Sequence, residues 1–125
     1  MVRKEVIVLP GMKERPYSSA IRAGDFIFVS GTVGGVDAQG NPIEGIAAQT
    51  RQCLASMKDI LQAAGSSLSD VVKATVFLTN ADDYAKMNEV YRSYFPKDLP
   101  TRSTVITGLA LPELLIEIEC IAYKP

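Results

Sequence analysis

The sequence predicts a single α+β domain in which a mixed β-sheet carries two helices packed on one of its faces. Short β-rich segments lie at both ends of the chain and in its middle, and two amphipathic helical segments separate them. The 125 residues, 47% apolar and 22% charged, are typical of one ordinary soluble domain. We therefore expect the element order ββαβαββ over residues 1–125, with both helices on the same side of the sheet.

The first half of the chain predicts two strands and a helix. The strands correspond to EVIVLP and GDFIFVSGTV, and the second of them ends in glycines. The loop GGVDAQGNPIEG then leads into a segment whose apolar residues recur at helical spacing, and Gly65 is expected to end that helix. The residues of this stripe are Ile46, Thr50, Cys53, Leu54, Met57, Ile60, Leu61 and Ala64.

The second half predicts an inner strand, a second helix and two C-terminal strands. DVVKATVFLT is apolar on both faces, which is unusual for an edge strand. NADDYAKMNEVYRSYF is predicted to be helical, capped by Asn80 or an Asp and stopped by Pro96. Its buried stripe should contain Tyr84, Met87, Tyr91, Tyr94 and Phe95. RSTVITGL and LLIEIECIAY alternate as strands do, and we expect the ALPE turn to pair them as antiparallel neighbours.

The last predicted strand has two unlike faces. Ile116, Ile118, Cys120 and Ala122 point one way and suit the helices. The other face, formed by Leu115, Glu117, Glu119, Ile121 and Tyr123, is half apolar and half acidic. Such a face is too apolar for open water and too charged for a dry core, which favours a boundary between subunits.

Composition excludes several classes of function. The chain has no histidine, and its two cysteines, Cys53 and Cys120, lie far apart in apolar surroundings, so they are expected to be core residues. Histidine-based triads and the usual zinc sites are therefore excluded, and we expect no metal and no cofactor. A net charge of −1 and a pI near 5.4 argue against nucleic acid as a partner. The N-terminal apolar run is too short for a signal peptide or membrane span, which predicts a cytoplasmic protein without membrane contact.

The residues best suited to catalysis or ligand binding are charged or polar groups inside otherwise apolar segments. If the last turn centres near residues 110–111, Arg102 lies roughly opposite Glu119 and diagonal to Glu117. This arrangement fits either a structural ion pair or a carboxylate-binding arginine beside a proton-handling glutamate. Asn88 lies within the apolar stripe of the second helix, where its amide either bonds neighbouring backbone or lines a site.

Several of these segments together resemble a known family. They are RPYSSAIRAGDFIFVSG, AAQTRQCLASMKDILQAAGSSLSDVVKATVFLTN, YAKMNEVYRSYF, PTRSTV and IEIECIA. Between about Tyr17 and Ala122 the chain strongly resembles the RidA/YjgF family of small enamine/imine deaminases. The resemblance implies a chorismate-mutase-like α+β protomer, assembled as a homotrimer with ligand sites at the subunit clefts. It also implies hydrolysis of 2-aminoacrylate, 2-iminobutanoate or related imino acids to 2-oxo acids and ammonia, without cofactor or metal.

The resemblance also assigns roles to individual residues. Arg102 would hold the substrate carboxylate through paired N–H donors. Glu117 would position water and transfer protons, for which its pKa should be raised by a partly apolar setting. Tyr17, Ser30, Gly31 and Asn88 match the positions that line the pocket.

Three departures from the family pattern leave the substrate's side chain open. The chain has RPYSSA where well-known members have GPYSQA, and Thr32 follows Ser30-Gly31 where they have glutamine. Thr104 replaces their cysteine but keeps a backbone N–H that can meet a carboxylate. Two alternatives also stay open. The first is a non-catalytic trimeric module that binds 2-oxo acids or a protein partner, and the second is RNA cleavage, against which the acidic charge and missing histidines argue.

Overall fold

The structure, a computed structural model, describes residues 3–125 as a six-stranded mixed sheet with two α-helices on one face. The strands are β1 (Lys4–Ile7), β2 (Ala20–Ala23), β3 (Phe26–Val33), β4 (Val71–Leu78), β5 (Thr101–Ile106) and β6 (Ile116–Tyr123). The helices are α1 (Ile46–Ala63) and α2 (Tyr84–Tyr94). The strands lie in the order β1-β2-β3-β6-β4-β5, and the predicted fold class, an α+β sandwich, is confirmed.

The predicted element order lacked one strand. β2 consists of the four residues AIRA and pairs antiparallel with both β1 and β3, so the observed order is βββαβαββ. Four residues with Arg22 among them are too few to show a two-residue period, so only the pairing partners reveal this strand. The predicted domain begins at residue 1, and its first two residues lie outside the described part of the chain.

The predicted pairing of the last two strands is wrong. β5 pairs with β4 in parallel, whereas β6 lies between β3 and β4 and is antiparallel to both. Arg102 is the neighbour of Ala74, and Glu119 is the neighbour of Thr75, so a whole strand separates them. The physical reason is the crossover: α2 connects β4 to β5, and a helical connection of this length joins parallel neighbours.

The two predicted stripes that face the core are confirmed. In α1 the buried residues include Ile46, Thr50, Cys53, Leu54, Met57, Ile60 and Leu61, whereas Ala64 lies just after the helix end and is only partly buried. The helix ends before Gly65, whose φ of +80° suits a residue without a side chain. On β6 the residues Ile116, Ile118, Cys120 and Ala122 are buried beneath the helices. β4 is an inner strand, as its apolar character predicted.

The opposite face of the sheet stays open in the protomer. Phe26, Phe28 and Tyr123 are 44%, 46% and 44% exposed, and the Phe26 and Tyr123 rings pack against each other. Val105 on β5 is also exposed on this face. Exposed aromatic side chains that pack together in this way often mark an interaction surface. We refer to it as the open face of the sheet.

Both cysteines are buried, unpaired thiols, as predicted. Burial raises the pKa of Cys53 and of Cys120 to about 12, so both thiols stay protonated and unreactive. The Cys53 thiol donates to the carbonyl oxygen of Thr32 at 2.8 Å. Within residues 3–125, no helix is long and apolar enough to cross a membrane, and no group of three or more potential metal ligands converges.

Gln49 anchors the segment that leads into β6. Its side chain is buried, and its Nε2 donates to the carbonyl oxygens of Ile43 and Glu113, each at 3.0 Å. Its Oε1 accepts from the backbone N–H of Leu115 at 2.9 Å. One amide thus ties α1 to two loops, and its last bond lies two residues before Glu117.

Replacing Gln49 should therefore destabilise the fold. Gln49→Leu removes three partly buried hydrogen bonds, two to carbonyls and one to a backbone N–H, so we expect the free energy of unfolding to fall by about 1–3 kcal/mol. Urea denaturation followed by circular dichroism measures this. Gln52→Leu on the same helix, where the amide reaches only the Ser56 hydroxyl, is the control. Equal losses in the two variants would contradict this role.

Candidate functional site

Arg102 lies on the edge strand β5 and points to the helix side of the sheet. It is in parallel register with Ala74, which is buried beneath the helices. Its guanidinium carbon lies 4.8 Å from the centroid of the Tyr91 ring and 5.8 Å from that of Tyr84. Its Nη2 donates to the Tyr84 hydroxyl at 3.3 Å. Two aromatic side chains of α2 therefore hold the guanidinium.

No carboxylate within residues 3–125 lies at ion-pair distance from Arg102. The salt bridge found in that part of the chain joins Lys124 to Asp70, 3.9 Å apart. A guanidinium carries several N–H donors in one plane, and a single hydrogen bond to Tyr84 leaves most of them free. Arg102 can therefore accept an anion from outside the chain.

An open pocket of about 490 Å³ lies beside this guanidinium. Its lining residues are Ala81, Tyr84, Arg102, Thr104 and Ile106. Thr104 shares the face of Arg102, two residues further along β5. Within residues 3–125, the side-chain polar atoms that are buried without a partner are the hydroxyls of Thr104 and Tyr91. Both unpaired hydroxyls thus belong to residues that contact Arg102 or share its pocket.

Asn88 is half-buried on α2, one turn after Tyr84 and one turn before Tyr91. Residues at this spacing share a helix face, so Asn88 lies on the face that holds Arg102. It does not line the pocket of the protomer. We call Arg102, Thr104 and Asn88, together with Tyr84 and Tyr91, the arginine half of the site.

Glu117 lies on the other face of the sheet. It alternates with buried Ile116 and Ile118 on β6, and its neighbours in register are Val33 and Phe77. The β3–β6 register shifts between Val29 and Thr32, which places Ser30 and Gly31 in a bulge. A Cβ added to Gly31 would lie 2.8 Å from the Glu117 carboxyl carbon. The carboxyl group therefore packs on backbone that only glycine leaves open.

Ser30 and Tyr17 belong to the same region as Gly31. The Ser30 hydroxyl donates to the carbonyl oxygen of Ser18 at 2.6 Å, and its N–H donates to that of Ser19 at 3.0 Å. These bonds hold the loop before β2 against the bulge. Tyr17 on that loop is 49% exposed, and its hydroxyl accepts from Arg15 at 2.8 Å. We call Glu117, Gly31, Ser30 and Tyr17 the glutamate half of the site.

The two halves do not meet within one protomer. Arg102 faces the helices, Glu117 faces away from them, and β4 lies between their strands. The predicted cross-strand contact between Arg102 and the glutamates is therefore absent from the described part of the chain. The predicted residues divide into three in the arginine half and four in the glutamate half, with Arg102 and Glu117 on opposite faces of the sheet.

Burial raises the pKa of Glu117 above its usual range, and the charge of nearby Glu119 raises it further. This is the direction expected for a carboxyl group that transfers protons near neutral pH. Burial also raises the pKa of Tyr91, and the charge of Arg102 opposes that rise. Tyr91 is therefore a neutral aromatic surface for the guanidinium.

Sequence reasoning placed Tyr84 and Tyr91 in the core stripe of α2 and missed their contact with Arg102. Met87, Tyr91 and Phe95 are buried as predicted, but Tyr94 is only partly buried and Tyr84 is 47% exposed. β5 is the edge of the sheet, so within residues 3–125 no further strand lies beyond it beside the first turn of α2. The sequence feature that could have indicated this contact is the polar Asn88, which lies between Tyr84 and Tyr91 at helical spacing.

The comparison with known proteins fits this geometry. A family model described as Endoribonuclease L-PSP matches residues 12–124. The chain belongs to the RidA/YjgF family. A RutC family protein of Pyrococcus horikoshii is 49% identical over 110 residues, which cover 87% of each chain. The chloroplastic Reactive Intermediate Deaminase A of Arabidopsis thaliana is 42% identical over 108 residues, 86% of this chain and 58% of that protein. The crystal structure of the Rid family protein YyfA from Yersinia pestis superposes with a TM-score of 0.89 at 34% identity, covering 97% and 99% of the two chains.

The raised pKa of Glu117 predicts a pH-dependent stability for this RidA/YjgF protein. A carboxyl whose folded-state pKa lies above its unfolded value of 4.5 costs stability as pH rises from 4.5 through the folded pKa. Glu117→Gln lacks this cost, so its stability relative to wild type should increase across that window and then level off. Denaturant unfolding between pH 4 and pH 8 measures the difference. Glu44→Gln on an exposed loop controls for the loss of one charge, and the same pH trend in both variants would contradict the assignment.

Proposed function

We propose that the chain hydrolyses reactive 2-imino and enamino acids, such as 2-aminoacrylate and 2-iminobutanoate, to 2-oxo acids and ammonia without cofactor or metal. The observation that carries this proposal is the Arg102 guanidinium, held by two tyrosines and open to a pocket, with no carboxylate partner within residues 3–125. The family and its relative named Reactive Intermediate Deaminase A support it.

In this proposal Arg102 binds the substrate carboxylate through parallel N–H bonds. Charge-assisted bonds of this kind are worth about 1.5–3 kcal/mol each. The backbone N–H of Thr104 and the amide of Asn88 add polar contacts from the same half. These groups hold the substrate so that its imine carbon faces the attacking water.

Glu117 is the proposed acid and base. Its carboxylate takes a proton from water as the oxygen bonds to the imine carbon, and it passes that proton to the imine nitrogen to give a carbinolamine. The carboxylate then takes the carbinolamine hydroxyl proton and passes it to the amine nitrogen as the C–N bond breaks, which releases ammonia and leaves the 2-oxo acid. A carboxyl with a raised pKa can hold and release a proton at neutral pH more readily than an ordinary one.

We further propose that the two halves meet between protomers of a homotrimer. The arginine half of one protomer would face the glutamate half of the next, and Tyr17, Ser30 and Gly31 would line the cleft from the glutamate side. Two observations support this assembly. The halves lie on opposite faces of the sheet, and the open face exposes aromatic side chains that a second copy would cover.

Fewer observations support the two alternative functions. A non-catalytic trimer that binds 2-oxo acids or a protein partner would need Arg102 but not the raised pKa of Glu117. RNA cleavage is named in the description of the family, but a chain with net charge −1 has little attraction for a polyanion. The cytoplasm stays a prediction, because the Arabidopsis relative is chloroplastic.

Deaminase activity should depend on Arg102. When a threonine dehydratase generates 2-iminobutanoate, the wild-type protein should accelerate formation of 2-oxobutanoate. Arg102→Ala should lower kcat/KM about 100-fold, because it removes bonds worth about 3 kcal/mol in total. Arg92→Ala, which removes an exposed arginine of α2, should keep full activity. No acceleration by wild type, or full activity in Arg102→Ala, would reject the proposal.

Glu117→Gln separates the enzyme from the binding module. In an enzyme this variant should lose turnover and still bind 2-oxobutanoate, whereas a sensor has no turnover to lose. Degradation of RNA by the protein after rigorous removal of contaminating nucleases would instead support RNA cleavage as its function.

Mixing inactive variants tests whether the site is shared between protomers. Arg102→Ala and Glu117→Gln are each expected to be inactive alone. After unfolding and joint refolding at equal amounts, about a quarter of the interfaces should combine an intact arginine half with an intact glutamate half, so about a quarter of the activity should return. Wild type refolded alone gives the reference yield. A mixture as inactive as its components would contradict a shared site.

A further inference from the structure

Tyr84 differs from the other aromatic residues of α2 in its surroundings. It begins the helix, is 47% exposed and lines the pocket together with Arg102 and Thr104. Tyr91, the second aromatic contact of Arg102, is only 5% exposed, and its hydroxyl is buried without a partner. Tyr91 therefore supplies a fixed surface, while Tyr84 presents a polar group where a ligand can reach it.

The two tyrosines restrain different motions of the guanidinium. The ring of Tyr91, 4.8 Å away at its centroid, limits displacement towards the helix. The Tyr84 hydroxyl accepts from Nη2 at 3.3 Å and so favours one orientation of the guanidinium plane. Together they fix which N–H edge of Arg102 faces the pocket, because no carboxylate within residues 3–125 competes for it.

The Tyr84 hydroxyl can form a second hydrogen bond. A tyrosine hydroxyl both accepts and donates, and its oxygen already accepts from Arg102. Its proton is then free to point into the pocket. Two neighbouring donors, the Tyr84 O–H and the free N–H edge of Arg102, match two neighbouring acceptors on one small ligand.

We propose that Tyr84 is a positioning and selectivity residue: its hydroxyl orients Arg102 and donates to the acceptor at the 2-position of a ligand whose carboxylate binds that arginine. The pair would thereby select 2-oxo and 2-imino acids over plain carboxylates. This inference rests on the proposed function for its ligand class, but it concerns recognition and not the chemical step.

The test compares two probes that differ only at the 2-position, 2-oxobutanoate and butanoate, by isothermal titration calorimetry. Wild type should bind 2-oxobutanoate more tightly. Tyr84→Phe keeps the ring and removes the hydroxyl, so its affinity for 2-oxobutanoate should fall about 10-fold and its affinity for butanoate by about 3-fold or less. Since Tyr84 is half exposed, the variant should fold normally, which thermal unfolding verifies. Tyr94→Phe removes the other partly exposed tyrosine hydroxyl of α2, which donates to the Arg51 carbonyl oxygen, and should leave both affinities unchanged.

The ratio of the affinities for 2-oxobutanoate and butanoate separates recognition from a merely structural role. A structural role would weaken the binding of both probes equally. Equal losses, no loss in Tyr84→Phe, or a wild type without preference for 2-oxobutanoate would each overturn the inference. Turnover distinguishes it from the proposed function. If wild type deaminates 2-iminobutanoate while Tyr84→Phe keeps the binding preference, only the inference fails. If wild type shows no turnover but Tyr84→Phe loses the preference, only the proposed function fails.

Discussion

The placement of β4 between β5 and β6 is the constraint on which the site depends. β4 runs parallel to β5 because α2 connects them, and it is antiparallel to β6. The crossover brings α2 over the edge of the sheet, where its tyrosines contact Arg102. The alternation of side chains along β6 turns Glu117 to the open face, beside the bulge at Gly31. If β5 and β6 were a hairpin, Arg102 would lie on the strand beside the glutamates of β6, and β4 would not divide the site.

Arg102 is held by interactions weaker than those it could make with an anion. Cation–π contacts are worth about 0.5–2 kcal/mol, and one hydrogen bond to a neutral hydroxyl adds about 1 kcal/mol. A paired carboxylate would be bonded more strongly but would occupy the donors that a ligand needs. The tyrosines thus orient the guanidinium without neutralising it, which keeps its charge available at the pocket.

The features that the sequence predicted correctly are those determined by the local spacing of apolar residues. The stripe of α1, the two faces of β6 and the inner position of β4 follow from which residues must be buried, and the structure has all three. Strand pairing is different, because alternation assigns residues to faces but does not choose the neighbouring strand. That is why β5 was paired with the wrong strand and β2 was missed. The exposure of Tyr84 depends on which strand forms the edge of the sheet, and the local sequence pattern does not determine this. Arg102, Glu117 and Asn88 were indicated by polar residues within apolar segments, and the other site residues by family motifs. The division of these residues between two faces could be seen only from the sheet order.

The division of the site also explains how both charged groups keep their properties. If Arg102 and Glu117 were cross-strand neighbours, they would form an ion pair, which would occupy the guanidinium and lower the pKa of the carboxyl. Separation by β4 prevents this within the protomer, so Arg102 stays open to an anion and burial can raise the pKa of Glu117. In the proposed assembly the two groups approach each other across a cleft in which the substrate lies. The substrate carboxylate then neutralises Arg102, and Glu117 can take and return a proton at the adjoining carbon without being held by the arginine.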